Sequence, residues 1–233
     1  MSRIKLVTLD LDNTLWDVDS IIIQAEADMV AWLEQHVPES MPLYRSDALS
    51  EVRNDVFARH QDRAHDLSFM RTAVLHTLIQ RAGYGEREAF DLATRAFEVF
   101  FEGRNRVVLF PGAEEMLTEL ATRYTLIALT NGNADIEKAG LAAYLQGAFS
   151  SADVGVKKPH SRMFEAPLQH VDVEAHEAVH VGDHLVDDVK GAAAVGMHTV
   201  WVNLNEAAHE GEVLPTHEVS ALDQVAEVIR QLE

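Results

Sequence analysis

The sequence contains no cysteine. Disulfides, thiolate nucleophiles and zinc sites built on sulfur are therefore excluded. Basic residues are scarce as well, with Lys and Arg totalling 19 against 38 Asp and Glu, a formal net charge of -19. A surface of that sign repels a nucleic-acid backbone and an anionic membrane, so neither is an expected partner. No apolar run is long enough to span a bilayer. Met1-Ser2-Arg3-Ile4-Lys5 leads into a strand-like run without the apolar stretch and small-residue cleavage site of a signal peptide, and a cytoplasmic location is the expectation. Internal repeats and low-complexity tracts are also missing. What is present is ordinary for a packed chain: 47% apolar and 24% charged residues over 233 positions, enough for one core plus a small inserted domain.

Ile4 to Leu9 is a short run with β-branched residues that breaks into Asp10-Leu11-Asp12-Asn13-Thr14, and reads as a buried strand ending in two carboxylates. From Val18 to about Gly103 the period changes. Ile22, Ala25, Met29, Trp32 and Leu33 recur at helical spacing, as do Val52, Phe57, Leu67, Met70, Val74, Leu78 and then Ala89, Leu92, Phe97, Phe101. Breaks at Pro38 to Pro42, His60 to Asp66 and Gly83-Tyr84-Gly85 divide this block into about four helices. After the turn Phe110-Pro111-Gly112, a helix from Ala113 to about Arg123 opens an alternating pattern. It runs strand Thr125 to Leu129, helix Ala134 to Leu145, a strand about Phe149, helix Met163 to His170 and strand Ala178 to Val181. Helix Val186 to Val195, strand His198 to Val202 and a final amphipathic helix through Leu222, Val225, Ile229 and Leu232 complete it. Strands separated by single helices imply right-handed crossovers. The expected fold is α/β, a Rossmann-like parallel sheet with helices on both faces, interrupted after its first strand by an all-α insert. The expected division is residues 1–16 and 104–233 for the core and 17–103 for the insert, which would hang over the site as lids do.

Parallel sheets present reactive groups at the carboxyl ends of their strands. The first strand ends in Asp10 and Asp12, and the second in Thr130-Asn131-Gly132-Asn133, whose hydroxyl and amides at a helix start suit a phosphate. Lys157-Lys158-Pro159 supplies a cation, and the strand at Ala178 ends in Gly182-Asp183-His184-Leu185-Val186-Asp187-Asp188. Metal-assisted phosphoryl transfer needs this set of groups: a carboxylate that attacks phosphorus, a second that moves protons, and charges that neutralise the transferred group. The acidic field of the chain opposes a phosphate ester, so a divalent cation is expected, and an all-oxygen ligand set favours magnesium over zinc.

Asp10-Leu11-Asp12-Asn13-Thr14, Thr130-Asn131, Lys158-Pro159 and Gly182-Asp183 through Asp188 resemble, in order, the four motifs of the haloacid dehalogenase superfamily. The helical insert resembles that family's cap placed between the first two motifs. The resemblance implies Asp10 as nucleophile and Asp12 as general acid/base. It implies that Thr130 and Asn131 bind phosphate and that Lys158 steadies nucleophile and phosphate. Magnesium would be held by Asp10, Asp183 and the Asp12 carbonyl, with Asp188 supporting. Asp187 does not align with the motif and reads as incidental. The founding dehalogenases of the superfamily lack the second acid of the first motif, so Asp12 points to a phosphatase. Thr130-Asn131-Gly132-Asn133-Ala134, His180-Val181-Gly182-Asp183-His184-Leu185 and Asp188-Val189-Lys190-Gly191-Ala192 further resemble bacterial flavin-pathway phosphatases, which act on FMN or on the phosphorylated ribitylaminouracil precursor of riboflavin. The implied substrate is a small phosphorylated metabolite, and the implied state a monomer or homodimer.

Taken singly each motif is mundane: a strand end with a turn, a helix cap, a solvated lysine, a loop. Their ordered set is not. The twelve histidines show no metal-ligand spacing. Trp32 lies on the apolar stripe and reads as core, Trp16 as hinge packing or a substrate contact, and Asn54, Arg59 and Arg71 as possible specificity contacts by location alone. The rival readings are a sugar phosphomutase, a 2-haloacid dehalogenase and, outside enzymes, a phosphoacceptor signalling domain or an inactive binding protein.

Overall fold

The computed structural model describes residues 3–208 and 214–233. Met1 and Ser2, part of the segment compared above with a signal peptide, lie outside the described residues. Two compact units are present: Met1–Val18 with Val107–Glu233, and Asp19–Arg106.

The first unit is built on a six-stranded parallel sheet in the order β3-β2-β1-β4-β5-β6. The strands are β1 (Leu6–Leu9), β2 (Thr125–Thr130), β3 (Gly147–Ser150), β4 (Ala178–Gly182), β5 (His198–Val202) and β6 (His217–Val219). β1 lies inside the sheet between β2 and β4, and every residue of it is buried, as befits a strand covered on both faces. The chain builds outward from β1 through β2 to β3, then returns to lay β4, β5 and β6 on the other side. That reversal creates a crevice at the carboxyl ends of β1 and β4, where open α/β sheets bind ligands.

Helices cover both faces. On one, α6 (Ala113–Ala121) and α10 (Val225–Arg230) pack on β2 and β5. On the other, α8 (Ser161–Val171) and α9 (Gly191–Ala194) bury Met163, Phe164, Leu168 and Ala192 against Leu6, Ile127, Leu129 and Ala178. Leu6 and Thr8 point to the same face by the two-residue period of a strand, as do Ala178 and His180. The short α7 (Ser151–Val154) follows β3 and is held by a capping box between Ser150 and Asp153.

The second unit is helical: α1 (Val18–His36, its first residue shared with the other unit), α2 (Met41–Tyr44), α3 (Ala48–Arg59), α4 (Leu67–Arg81) and α5 (Glu86–Arg104). Ile21, Ala25, Met29 and Leu33 of α1 are buried at four-residue spacing, one stripe of the helix. α5 answers with Ala89, Ala93, Ala96, Phe100 and Gly103. These small residues let the backbones approach: a Cβ on Gly103 would lie 3.0 Å from the Cα of Ala25. Asp66 caps α4 by accepting from the Phe69 amide at 2.9 Å.

Several expectations are corrected in detail. Ala134 to Leu145 is a chain of turns and not a helix. Asp135 draws the amides of Glu137 and Lys138 onto its side chain, and Gly140 takes a positive φ of 76°, so the helical ladder never propagates. The expected break at Pro38 to Pro42 holds a tight turn, Pro38–Ser40, and α2. Val186 to Val195 starts one residue earlier as a π-type turn, Leu185–Lys190, before α9 begins. β6 had no counterpart among the expected strands, being three residues long.

Candidate active site

Asp10 follows β1 directly and continues its ladder, its amide donating to the Val181 carbonyl of β4 at 2.9 Å. Past it the chain folds tightly on itself. Asn13 adopts a positive φ of 62°, a conformation Asn tolerates better than most residues. The Asn13 amide donates to the Trp16 carbonyl at 2.8 Å, and the Trp16 indole Nε1 donates to Asp12 Oδ1 at 2.9 Å. Thr14 Oγ1 lies 3.1 Å from both Asp10 Oδ2 and Asp183 Oδ1, so it ties the ends of β1 and β4 together.

Lys158 is buried between two carboxylates, with Nζ donating to Asp10 Oδ1 and to Asp188 Oδ1 at 2.6 Å each. Asn131 holds its loop in place, the side-chain oxygen accepting from the Lys158 amide at 2.7 Å and the side-chain amide donating to the Lys158 carbonyl at 3.1 Å. Thr130, also buried, accepts the Gly132 amide on its hydroxyl at 2.8 Å.

Asp188 sits on the first turn after β4. Its Oδ2 accepts the His184 amide at 3.0 Å, and its Oδ1 accepts from His180 Nε2 at 3.0 Å as well as from Lys158. Gly182 is required for this approach, since a Cβ there would fall 2.4 Å from Asp188 Cγ. A carboxylate only accepts, so His180 Nε2 carries the proton, and its Nδ1 accepts from the Thr8 hydroxyl at 2.8 Å. Burial lowers the His180 pKa and keeps the ring neutral in this arrangement.

Three buried or half-buried carboxylates, Asp10, Asp183 and Asp188, thus share the site with one ammonium, which contacts Asp10 and Asp188. Burial raises Asp10 to about 7, with the charge of Asp188 adding to the rise and Lys158 only partly opposing it. Burial likewise raises Asp183. Burial works against ionised Asp188 too, but there Lys158 and His180 prevail and hold it below the usual range. The same two carboxylates overcome the burial of Lys158 and hold its pKa above the ordinary lysine value. Asp10, Asp183 and Asp188 can each offer an oxygen, all within 4.8 Å of one another. The excess of negative charge and the all-oxygen donor set fit a hard divalent cation.

Asp10, Asp12, Thr130, Asn131, Lys158, Asp183 and Asp188 all line one cleft of about 180 Å³. Asp187, read as incidental, lines it as well and accepts from the Asn131 side-chain amide at 3.3 Å. Sequence reasoning gave no role to His180, Thr8 or Trp201, whose indole donates to the Asp183 carbonyl at 2.8 Å. A signal existed for two of them: Thr8 and His180 each interrupt an apolar strand, and the strand register pairs them.

A doubly wound parallel sheet gathers carboxylates, a lysine and a threonine at its switch point, an arrangement suited to hydrolysis. Residues 4–196 match the family described as haloacid dehalogenase-like hydrolase, and the chain belongs to that family. It is 28% identical over 233 residues, 98% of each chain, to the 5-amino-6-(5-phospho-D-ribitylamino)uracil phosphatase YigB of Escherichia coli (strain K12). It is 32% identical over 219 residues to the ribulose-1,5-bisphosphate 5-phosphatase of Halopiger xanaduensis, spanning 88% of this chain and 87% of that one. Among solved structures, a 2-haloacid dehalogenase from Pseudomonas syringae pv. Tomato DC3000 is similar with a TM-score of 0.95 and 40% identity, over 99% of this chain and 100% of the other. Among the described residues, no helix is long and apolar enough to cross a membrane.

Proposed function

We propose that the chain is a magnesium-dependent phosphomonoester hydrolase working through an aspartyl phosphate on a small phosphorylated metabolite of the cytoplasm. The observation that carries the reading is the pair Asp10 and Asp12 on one cleft with Lys158, Thr130 and Asp183. Asp10 attacks phosphorus, and Asp12 protonates the departing alcohol. Asp12 then takes a proton from water as that water attacks the phosphoryl group and frees Asp10. Lys158 holds Asp10 in place and offsets charge on the phosphoryl oxygens. Thr130 binds phosphate through its hydroxyl. Asn131, whose side-chain amide already bonds the Lys158 main chain, binds through its main-chain N–H. Magnesium, when held by Asp10, Asp183 and the Asp12 carbonyl, supplies the positive charge that lets a buried carboxylate and a phosphate meet.

We assign substrate choice to the helical unit, taken as a cap of residues 17–103, with 1–16 and 104–233 as the core. The similarity to the ribitylaminouracil phosphatase supports that ester as substrate, and the motif resemblance adds FMN as the alternative. The similarity to a protein named 2-haloacid dehalogenase favours a second reading, halide displacement. Asp12 weighs against it, because displacement of halide needs no proton donor to the leaving group.

The test is release of phosphate from FMN, the ribitylaminouracil phosphate, sugar phosphates and nucleoside monophosphates, run beside release of halide from a 2-chloro acid. Phosphate release that stops on chelation of magnesium is expected, with no halide. Halide without phosphate would overturn the reading, and flavin-pathway esters no better than a generic ester would overturn the substrate assignment.

A further inference from the structure

We infer that Trp16 is a positioning residue for the acid/base carboxyl, its indole N–H selecting which oxygen of Asp12 carries the proton. The inference rests on the phosphatase reading above and deepens it. Trp16 is 0% exposed, and its Nε1 donates to Asp12 Oδ1 at 2.9 Å. The loop between the two residues is closed by main-chain bonds from Asn13 to the Trp16 carbonyl and from Leu15 to the Leu11 carbonyl, each 2.8 Å. Burial of the ring in this closed loop holds the indole against Asp12.

An indole N–H is a donor only. It meets a carboxylate oxygen in the ionised form and the carbonyl oxygen in the protonated form, so Oδ1 is the acceptor in both and the proton travels on Oδ2. In the first half-reaction Asp10 bonds to phosphorus, the ester P–O bond breaks, and the Oδ2 proton passes to the departing oxygen. In the second, water bonds to phosphorus, its proton passes to Oδ2, and the bond from phosphorus to Asp10 breaks. One buried donor keeps the carboxyl in register through both.

The proposal separates leaving groups. p-Nitrophenolate departs without a proton, whereas an alkoxide needs one. Trp16→Phe keeps a buried ring and removes the donor. It is expected to lower kcat/KM for an alkyl phosphate by about thirtyfold and for p-nitrophenyl phosphate by less than about threefold. In an Asp12→Asn background the selectivity should vanish, since there is no proton to place. Equal losses for both esters, or no loss, would overturn the inference alone. Should Trp16→Phe unfold, 3-benzothienylalanine in place of Trp16 retains the bicyclic shape and lacks only the N–H. The same selectivity is expected there, and wild-type behaviour would overturn the proposal. Wild-type protein that hydrolyses neither ester would overturn the phosphatase reading and this inference with it.

Discussion

Asp10 at the end of β1 and Asp188 after β4 are the same residue type, are both buried, and share one lysine at the same 2.6 Å distance, yet their acidities move in opposite directions. The difference lies in the neighbours: Asp10 faces the charges of Asp188 and Asp183, whereas Asp188 gains the His180 ring beside Lys158. Asp188 also accepts from the His180 ring and the His184 amide, whereas Asp10 is met by the Thr14 hydroxyl, which lies equally near Asp183. One hydrogen bond to a charged group contributes about 1.5–3 kcal/mol, enough to separate such a pair of pKa values by about one to two units. Asp188 is thus an anchor whose charge is satisfied by the fold. Asp10 is left with charge to be completed from outside, which suits a nucleophile that meets a cation and a phosphoryl group.

Substitutions at the two positions should break this comparison in different places. Asp10→Asn removes the oxygen proposed to attack phosphorus and is expected to lower turnover by at least about a thousandfold, measured as phosphate release with magnesium, while the far-UV spectrum stays native. Asp10 also sets a pH dependence. Its pKa rises from 3.8 to about 7 on folding, so the folded state binds the proton more tightly. The stability this gives is full below about pH 4 and is lost as pH rises through about 7. In metal-free protein the wild type should therefore fall behind Asp10→Asn over that window, by up to about 4 kcal/mol in urea unfolding, and magnesium should narrow the gap. A constant difference from pH 4 to 8 would show that Asp10 is not under-neutralised.

Asp188→Asn is expected to act on stability as well as on rate. It strips Lys158 and His180 of a charged partner in a buried site and should cost about 3 kcal/mol by urea unfolding at pH 7. The smallest effect belongs to the far end of the chain of contacts. Thr8→Val keeps the shape and removes the hydroxyl that His180 Nδ1 accepts, for an expected loss of about 1 kcal/mol in unfolding free energy. A loss at Thr8→Val equal to that at Asp188→Asn would mean that the histidine, and not the lysine, holds Asp188.

The features of this arrangement that were legible in the sequence are those fixed by local pattern. Strands that end abruptly in Asp10, Thr130 and Asp183 announce the sheet edge, and the helical spacing of Ala25, Met29 and Leu33 announces the insert. The family assignment rests on the match over residues 4–196. What escaped was set by side-chain hydrogen bonds and by strand register. Ala134 to Leu145 has helical residue types but loses its ladder to the Asp135 side chain and the turn at Gly140. His180 acquires its role only when β4 lies beside β1 in the register that puts it opposite Thr8. Trp16 read as hinge packing or a substrate contact, and the role of its one polar atom emerges only after Asn13 bends the chain back.

The nucleophile itself is open to direct observation. Asp12→Asn protein lacks the group proposed to activate water, so an aryl phosphate, which needs no proton to depart, should load the enzyme and leave it loaded. Acid quench of that variant with p-nitrophenyl phosphate and magnesium, followed by peptide mass mapping, is expected to show a stoichiometric burst of p-nitrophenol and a phosphoryl group on Asp10. A phosphoryl group on Asp183, Asp188 or any other side chain would contradict the assignment.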